Sequence, residues 1–444
     1  MAESPPKELL KAAEGLQNMA IAHEIALNQN FKIDKIEPED DTLYKKVKDI
    51  LHKAYWDILS DELSQSPPVY TQAMQLLEEI KQSLDELLFP HNARTKESIN
   101  EVLDIALIKQ QAENGVLDFS HYAQYVISLM AKICAPVRDE RIAELKNCTN
   151  VIETFKGVME VLELMKLDLT NFTINMYRPT IVASSIEYEK RKFSEFLKVQ
   201  EDGLRKTRSW LSKYLTGDVI RANSTDANAV KQITDFILIE AYLDLLEFDI
   251  TPSAETLMLD QGRIIDLRNK TCRLVINGSI LSILSAAYPL RNVNINEIKE
   301  HITVLLDSIN SNKDLEKALP NIVIQVKADI EKIQDSANAV SSVERNNCLS
   351  MLEKLILELS RADHRIRQSI SSRIKTFFKS AIMLQSPDPQ QIPSVLSLLG
   401  RELMDVAKQF LILITRNRTI FEEYYQKIVT LVIRDEHSDC APVH

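Results

Sequence analysis

The chain of 444 residues is long enough for more than one domain, and its 45% of hydrophobic residues can form continuous cores. A formal net charge of −11 disfavours extended nucleic-acid binding, which normally needs a basic surface. With 8 glycines, the chain lacks the turn residues that all-β and Rossmann-type folds use, so the composition predicts an all-α protein.

The cysteines and the N-terminus predict a reducing, cytoplasmic environment. The five cysteines are odd in number and widely spaced, at positions 134, 148, 272, 348 and 440. This pattern favours free thiols over a disulfide framework. The first eleven residues have no apolar signal-peptide core, and no apolar run approaches the length of a membrane span. We therefore expect a soluble protein with no transmembrane segment.

Apolar residues recur with the helical period along most of the chain. One stripe covers residues 76–88 and stops at Pro90, a second runs from 155 to 176 and is expected to end near Pro179, and a third covers 403–414. Asn114 and Gly115 predict the end of another helix. The patterns predict a multi-helix bundle or array of about fifteen helices, without a regular solenoid repeat.

A small, polar segment without an apolar stripe divides the predicted helices into two halves. We expect an N-terminal helical half at 1–216, a polar linker at 217–229, a C-terminal helical half at 230–434 and a disordered tail at 435–444. The limits of these segments follow from composition alone.

Histidine spacing does not predict a metal site. His23 is followed by Glu24, but the second histidine of a zincin motif is missing, so His23 is predicted to lie on a helix surface or at a helix cap. Di-iron bundles use Glu-x-x-His pairs. The nearest approximations place aspartate three residues before His52 and His121, and aspartate is one methylene too short. We expect no metal and no cofactor.

Motifs for enzymatic chemistry are also missing from the sequence. It has no phosphate-binding glycine loop and no hydrolase nucleophile elbow. Cys134 ends an apolar run, which favours a buried, inert thiol over a nucleophile. The chain is therefore predicted not to be an enzyme, and an enzyme of unknown type remains a distant alternative.

The segment from Cys134 to Glu140 is the sharpest local feature. Pro136 can begin a helix, with Asp139 and Glu140 in its first turn, where carboxylates stabilise the positive end of the helix dipole. Arg138 is expected to pair with a carboxylate of a neighbouring helix. In the alternative interpretation, Arg138, Asp139 and Glu140 form a docking surface for a protein partner.

A basic stretch at 190–192 precedes Ser194. Basophilic kinases such as the cAMP-dependent kinase prefer basic residues two and three positions before a serine, so Ser194 is a candidate phosphorylation site. The alternative is a solvated helix face whose basic residues pair with Glu187, Glu189 and Glu195.

A second basic stretch at 361–379 carries an apolar face on its other side. Its candidate partner-binding residues are Arg365, Arg367, Arg373 and Lys375. A basic amphipathic helix can bind an acidic partner such as tubulin tails, calmodulin or a lipid surface. The alternative is an ordinary exposed helix of the bundle.

Several segments resemble the T-complex protein 11 family, and most closely its T-complex protein 11-like members. In the N-terminal half these are NMAIAHEI at 18–25, VKDILHKAYWD at 47–57, EVLD at 101–104, LIKQQAENG at 107–115, CAPVRDE at 134–140, MKLDLTNF at 165–172 and EYEKRKF at 187–193. In the C-terminal half they are ETLMLD at 255–260, SRI at 372–374 and FEEYY at 421–425. Vertebrate relatives usually carry a longer, disordered N-terminal tail, of which we expect very little here. The 217–229 segment lies where relatives have variable, often longer inserts.

The resemblance implies an all-helical protein without an established catalytic activity. It further implies a signalling adaptor or regulator, linked to cAMP and protein kinase A signalling and to sperm function. Protein kinase A pathway components would then be the partners. The alternative implied by the like-proteins is a microtubule or cytoskeleton-associated protein that binds tubulin.

Overall fold

A computed structural model describes residues 7–35, 42–200, 203–216, 227–286, 295–334 and 342–439. The regular structure of these residues is entirely helical, which confirms the all-α prediction. The first eight helices are α1 (Lys7–Leu27), α2 (Leu43–Ser64), α3 (Thr71–Glu86), α4 (Ala93–Val102), α5 (Ile105–Glu113), α6 (Phe119–Ile133), α7 (Asp139–Lys146) and α8 (Val151–Val199). The remainder are α9 (Arg205–Ser212), α10 (Ala227–Asp244), α11 (Gln261–Ala286), α12 (Ile295–Leu306), α13 (Asn312–Gln334), α14 (Ser342–Leu357), α15 (Arg365–Met383) and α16 (Gly400–Asp439).

The chain divides into two compact units. The larger unit comprises Met1–Leu27 and Ala183–His444, and the smaller unit comprises Asn28–Val182. These bounds differ from the predicted halves, because Met19 and Phe193 are buried in the core of the larger unit. Most of the predicted linker, residues 217–226, lies outside the described residues, so the linker stays a prediction.

The smaller unit buries the apolar stripes that the sequence shows. Leu77 and Ile80 of α3, Val126 of α6 and Val158 of α8 are almost completely buried in one core. Helix α5 ends as predicted, since Gly115 has a φ of 68° and its N–H donates to the carbonyl of Ala112.

Helix α11 lies at the centre of the larger unit and packs against α12, α15 and α16. It is buried nearly all round from Leu274 to Leu284. Gly278 allows a close approach of its neighbours, because a Cβ atom at this position would lie 2.7 Å from Leu396 Cδ2. A helix that is buried on nearly every side is expected at the middle of a bundle.

Two predicted boundaries are wrong. Helix α8 does not end near Pro179 but continues to Val199. Pro179 is exposed, so water can reach the backbone carbonyl that the proline leaves without a donor. Helix α16 extends to Asp439, since no proline or glycine interrupts 435–439, and these residues of the predicted disordered tail are helical. Residues 440–444 lie outside the described residues.

Candidate functional site

His23 lies in the last two turns of α1, and its side chain is buried. Its Nδ1 lies 2.8 Å from Glu189 Oε2, and its Nε2 lies 2.9 Å from Asp260 Oδ1. The prediction of a helix-surface or capping histidine is therefore wrong. The two carboxylates lie 166 and 237 positions away in the chain, so local spacing could not reveal them.

Arg416 of α16 completes this group, which we call the His23 cluster: His23, Glu189, Asp260 and Arg416. The guanidinium of Arg416 donates to Glu189 Oε1 and, over 2.8 Å, to Ser185 Oγ. All these side chains are at most 10% exposed. The carboxylates of Glu189 and Asp260 are paired with two cationic groups, His23 and Arg416. Charged side chains can be buried only when they are paired in this way.

The charge pairing continues towards the surface through Arg263. Its Nη1 lies 3.2 Å from Asp260 Oδ1, and its Nη2 lies 2.6 Å from Glu24 Oε1. Glu24 and Arg263 are partly exposed, so the network begins in the core and ends at solvent. Asp260 is thereby shared between a histidine and an arginine.

The two carboxylates keep His23 charged. Burial lowers the pKa of His23, but hydrogen bonds and charge attraction from Asp260 and Glu189 outweigh burial and raise the pKa from 6.5 to about 9. At neutral pH the imidazole is therefore protonated, and both ring nitrogens donate. A general base needs a ring nitrogen with a free lone pair. The geometry instead ties α1 and α8 to the start of α11 and to α16.

A neutral polar network lies next to the cluster in sequence. The hydroxyls of Tyr242 and Tyr425 donate to Asn417 Oδ1 over 2.5 and 2.6 Å, and Asn417 Nδ2 donates to the carbonyl of Thr256 over 2.7 Å. Burial raises the pKa of both phenols, so they remain hydrogen-bond donors. This network joins α10 and α16 to the segment before α11.

The same segment caps helix α9. Glu255 accepts hydrogen bonds from the backbone N–H groups of Lys206 and Thr207, over 2.9 and 2.7 Å, and from the Thr207 hydroxyl. Burial raises the pKa of Glu255, but these donors outweigh burial and lower it overall. A carboxylate from elsewhere in the chain thus takes the part of an N-cap residue.

In the smaller unit, the structure places the segment around Pro136 as the sequence predicts. Pro136–Arg138 form a 3-10 turn, and Asp139 and Glu140 lie in the first turn of α7. Arg138 Nε and Nη2 donate to the two carboxylate oxygens of Asp168, over 2.8 and 2.9 Å. This bidentate pair is the predicted contact with a neighbouring helix. Binding of a partner by Asp139 and Glu140 stays a prediction.

Cys134 is half-buried, and its thiol lies 3.3 Å from Asp139 Oδ1. Burial and the adjacent carboxylate raise the pKa of this thiol. A thiol with a raised pKa is a poor nucleophile, in keeping with the predicted inert role, although Cys134 is less buried than expected.

The basic stretch at 361–379 does not form one continuous basic surface. Arg367 is buried in α15 and donates to the Leu359 carbonyl and to Asn312 Oδ1. Lys375 pairs with Asp244 and Glu247 of the same unit. In the described part of the chain, Arg365 and Arg373 are exposed and have no ion pair. Binding of an acidic partner by this stretch stays a prediction, and it now depends on those two arginines.

Ser194 lies half-buried near the end of α8. Lys190 pairs with Glu187 and Lys192 with Glu195, as the solvated-face interpretation expects. Glu189 does not join them, because it points into the His23 cluster. Phosphorylation of Ser194 stays a prediction.

The structure places the remaining histidines of the metal hypothesis, His52 and His121, on exposed helix positions. Within the residues that the structure describes, no group of three His, Cys, Asp or Glu side chains is arranged to hold a metal ion. None of the described helices combines the length and apolar character needed to cross a bilayer.

The contacts bring together segments that carry the resemblance described above. His23 belongs to segment 18–25, Glu189 to 187–193 and Asp260 to 255–260. In the smaller unit, Arg138 of 134–140 meets Asp168 of 165–172. Sequence reasoning missed the His23 cluster, although these short segments were the signal that could have located it.

The fold and site define a class of protein. It is an all-α chain of two units, and each unit has an ion pair between residues that are far apart in the sequence. A family model for T-complex protein 11 matches residues 21–430, and the chain belongs to this family. The chain is 28% identical to the human T-complex protein 11-like X-linked protein 1, with 96% of this chain and 89% of the relative aligned.

Two further relatives show the same level of identity. The human T-complex protein 11 homolog is 28% identical over 93% of this chain and 86% of its own length. The mouse T-complex protein 11 is 28% identical over 88% of this chain and 73% of its own length. No solved structure matches the chain.

Proposed function

We propose that this chain is a non-enzymatic signalling adaptor of the cytoplasm that acts through its helix surfaces, in signalling by cAMP and protein kinase A. The observation that carries the proposal is the closed geometry of the His23 cluster. Its histidine uses both ring nitrogens to hold carboxylates of other segments. Such a group stabilises a fixed arrangement of helices, which is what a scaffold needs.

The resemblance to the T-complex protein 11 family implies a link to cAMP signalling. Membership of that family therefore supports this part of the proposal. For the docking surface we propose Asp139 and Glu140, at the start of α7. The side chains of Asp139 and Glu140 are both exposed, and they lie next to Val137, which is 68% exposed. Arg138 is excluded from this surface, because its guanidinium is engaged by Asp168.

Binding of purified regulatory and catalytic subunits of protein kinase A to the full chain tests the proposal, with and without cAMP. We expect binding of at least one subunit, and a loss of about tenfold or more in the variant D139K/E140K, because it reverses two charges at the contact. The matched control E78K/E79K reverses two exposed charges on α3 of the same unit and should bind normally.

Failure of both subunits to bind would overturn the kinase-linked proposal. An equal loss in D139K/E140K and E78K/E79K would show that binding depends on overall charge and not on a contact at α7. Unchanged binding by D139K/E140K would show that the contact lies away from α7. Circular dichroism of each variant separates these outcomes from misfolding.

The exposed Arg365 and Arg373 favour a second candidate function, binding to the acidic tails of tubulin. They lie on α15 without an ion pair to any described residue. Co-sedimentation with microtubules tests this candidate. We expect R365E/R373E and subtilisin removal of the tails each to abolish pelleting, whereas the control R401E/K408E, on exposed positions of α16, should pellet normally. Pelleting that survives tail removal would contradict it.

A further inference from the structure

Helix α2 of the smaller unit exposes a continuous apolar stripe. Five large apolar side chains are between 45% and 79% exposed: Leu43, Val47, Ile50, Leu51 and Ile58. Their spacing of four, seven, eight and fifteen residues places them on one face of the helix. Single exposed apolar residues are ordinary, but a stripe of this kind over four turns marks an interaction surface.

The same helix packs into its own unit with a different face. Trp56 and Leu59 are 8% and 1% exposed and belong to the core of the smaller unit. At about 100° per residue, these two side chains lie roughly 150° from the middle of the exposed stripe. The stripe therefore points away from the core to which α2 is attached.

Lysines border the stripe on both sides. Lys48 lies on one side and Lys53 on the other, both exposed and without an ion pair to any described residue. Residues 43–58 hold four lysines and two aspartates, within a chain of net charge −11. The excess of lysine over aspartate in this part of α2 favours an anionic ligand.

We propose that residues 43–58 dock on the surface of a bilayer that contains anionic phospholipids. The apolar stripe enters the boundary between headgroups and acyl chains, and the flanking lysines meet the headgroup phosphates and carboxylates. A second copy of the chain is a poorer occupant, because pairing two such stripes brings lysines of both copies together. A partner protein would need an apolar surface bordered by acidic side chains, whereas an anionic bilayer offers acyl chains and negative headgroups together.

Vesicle co-sedimentation of the full chain tests the proposal. Vesicles of phosphatidylcholine alone are compared with vesicles in which about a third of the lipid is phosphatidylserine. We expect the chain to pellet with the anionic vesicles only. The variant I50D/L51D should lose at least about tenfold in partitioning, because two exposed apolar side chains that would enter the bilayer become charged. The variant K48E/K53E should lose a similar factor, and added salt should weaken the wild type.

The matched control V304D/I324D places two aspartates at exposed apolar positions of α12 and α13, which are 74% and 66% exposed. It should pellet like the wild type. Equal pelleting with neutral vesicles, no pelleting with anionic vesicles, or an equal loss in the control would each overturn the proposal. So would a purified protein partner whose binding depends on Ile50 and Leu51 while vesicles do not bind.

Discussion

At the scale of single residues, His23 holds a buried charge between two carboxylates. Replacing it with glutamine leaves Glu189 and Asp260 with one buried cation fewer. Removing one partner of a buried ionic group costs about 3 kcal/mol or more, because the remaining charge stays desolvated. We expect H23Q to lower the free energy of unfolding by about this amount in urea titrations.

A control for H23Q removes a cation that is not buried. Lys408 lies exposed on α16 of the same unit, without an ion pair to a described residue. Exposed charges contribute less than about 1 kcal/mol, so K408Q should unfold almost like the wild type. A loss in K408Q as large as in H23Q would contradict the role of burial.

The pH dependence of stability follows from the raised pKa of His23. The group has a pKa near 6.5 in the unfolded chain and about 9 in the folded chain. Between these values the folded chain holds a proton that the unfolded chain has released, so the free energy of unfolding falls as pH rises. The contribution, on the order of 3 kcal/mol, is fully present below pH 6.5 and is lost as pH rises through 9.

Urea titrations at pH 6, 7.5 and 9 measure this effect as the difference between wild type and H23Q. Other groups titrate in both proteins and cancel in that difference. We expect the difference to be largest at pH 6 and to shrink towards pH 9. A difference that grows with pH would show that His23 is neutral in the folded chain.

At the scale of helices, the two glycines of α11 have opposite surroundings. A Cβ at Gly278 would lie 2.7 Å from Leu396 Cδ2 and 3.3 Å from Ile370 Cγ2, whereas a Cβ at Gly262 would have no atom within 4 Å. Overpacking a filled core costs about 1–3 kcal/mol. Alanine in open space instead favours the helix by up to about 1 kcal/mol relative to glycine.

We therefore expect G278A to lower the melting temperature and G262A to leave it unchanged or to raise it. Differential scanning calorimetry measures both. The pair is matched in chemistry and in helix, so only the space around the new methyl group differs. Two equal shifts would show that Leu396 moves aside without cost.

Most helices could be predicted from apolar periodicity, and the reason is local. In the stripes at 76–88 and 403–414, apolar residues recur once per helical turn, because one face of each helix is buried. Pro179 misled the prediction, because proline opposes a helix locally but an exposed position tolerates it.

At the scale of the molecule, the site could not be predicted, because its residues meet only after the chain has folded. His23 and Asp260 are 237 positions apart, and neither belongs to a recognisable metal or catalytic spacing. Arg367 and Lys375 show the converse. Their sequence suggests a basic face that is free to bind a partner. In the structure, however, Arg367 donates to Asn312, and Lys375 pairs with Asp244 and Glu247, which come from distant segments.

The division of the chain into two units gives a last prediction. The two tryptophans fall one in each unit, Trp56 in the core of the smaller and Trp210 against Tyr242 in the larger. In W56F the fluorescence therefore reports the larger unit, and in W210F it reports the smaller. The contacts of His23 lie in the larger unit, and the Arg138–Asp168 pair lies in the smaller unit. Loss of each ion pair should therefore lower the unfolding midpoint mainly for the tryptophan of the same unit.

We expect H23Q to lower the urea midpoint of the Trp210 signal by more than that of the Trp56 signal, and R138A to do the reverse. The loss in R138A should be about 1–3 kcal/mol, since a bidentate, charge-assisted contact is removed from a half-buried site. The control R141A breaks the exposed pair with Glu144 and should change neither midpoint by more than about 0.5 kcal/mol. Coincident shifts of both signals in every variant would mean that the chain unfolds as one cooperative unit, and the two cores would then share a single stability.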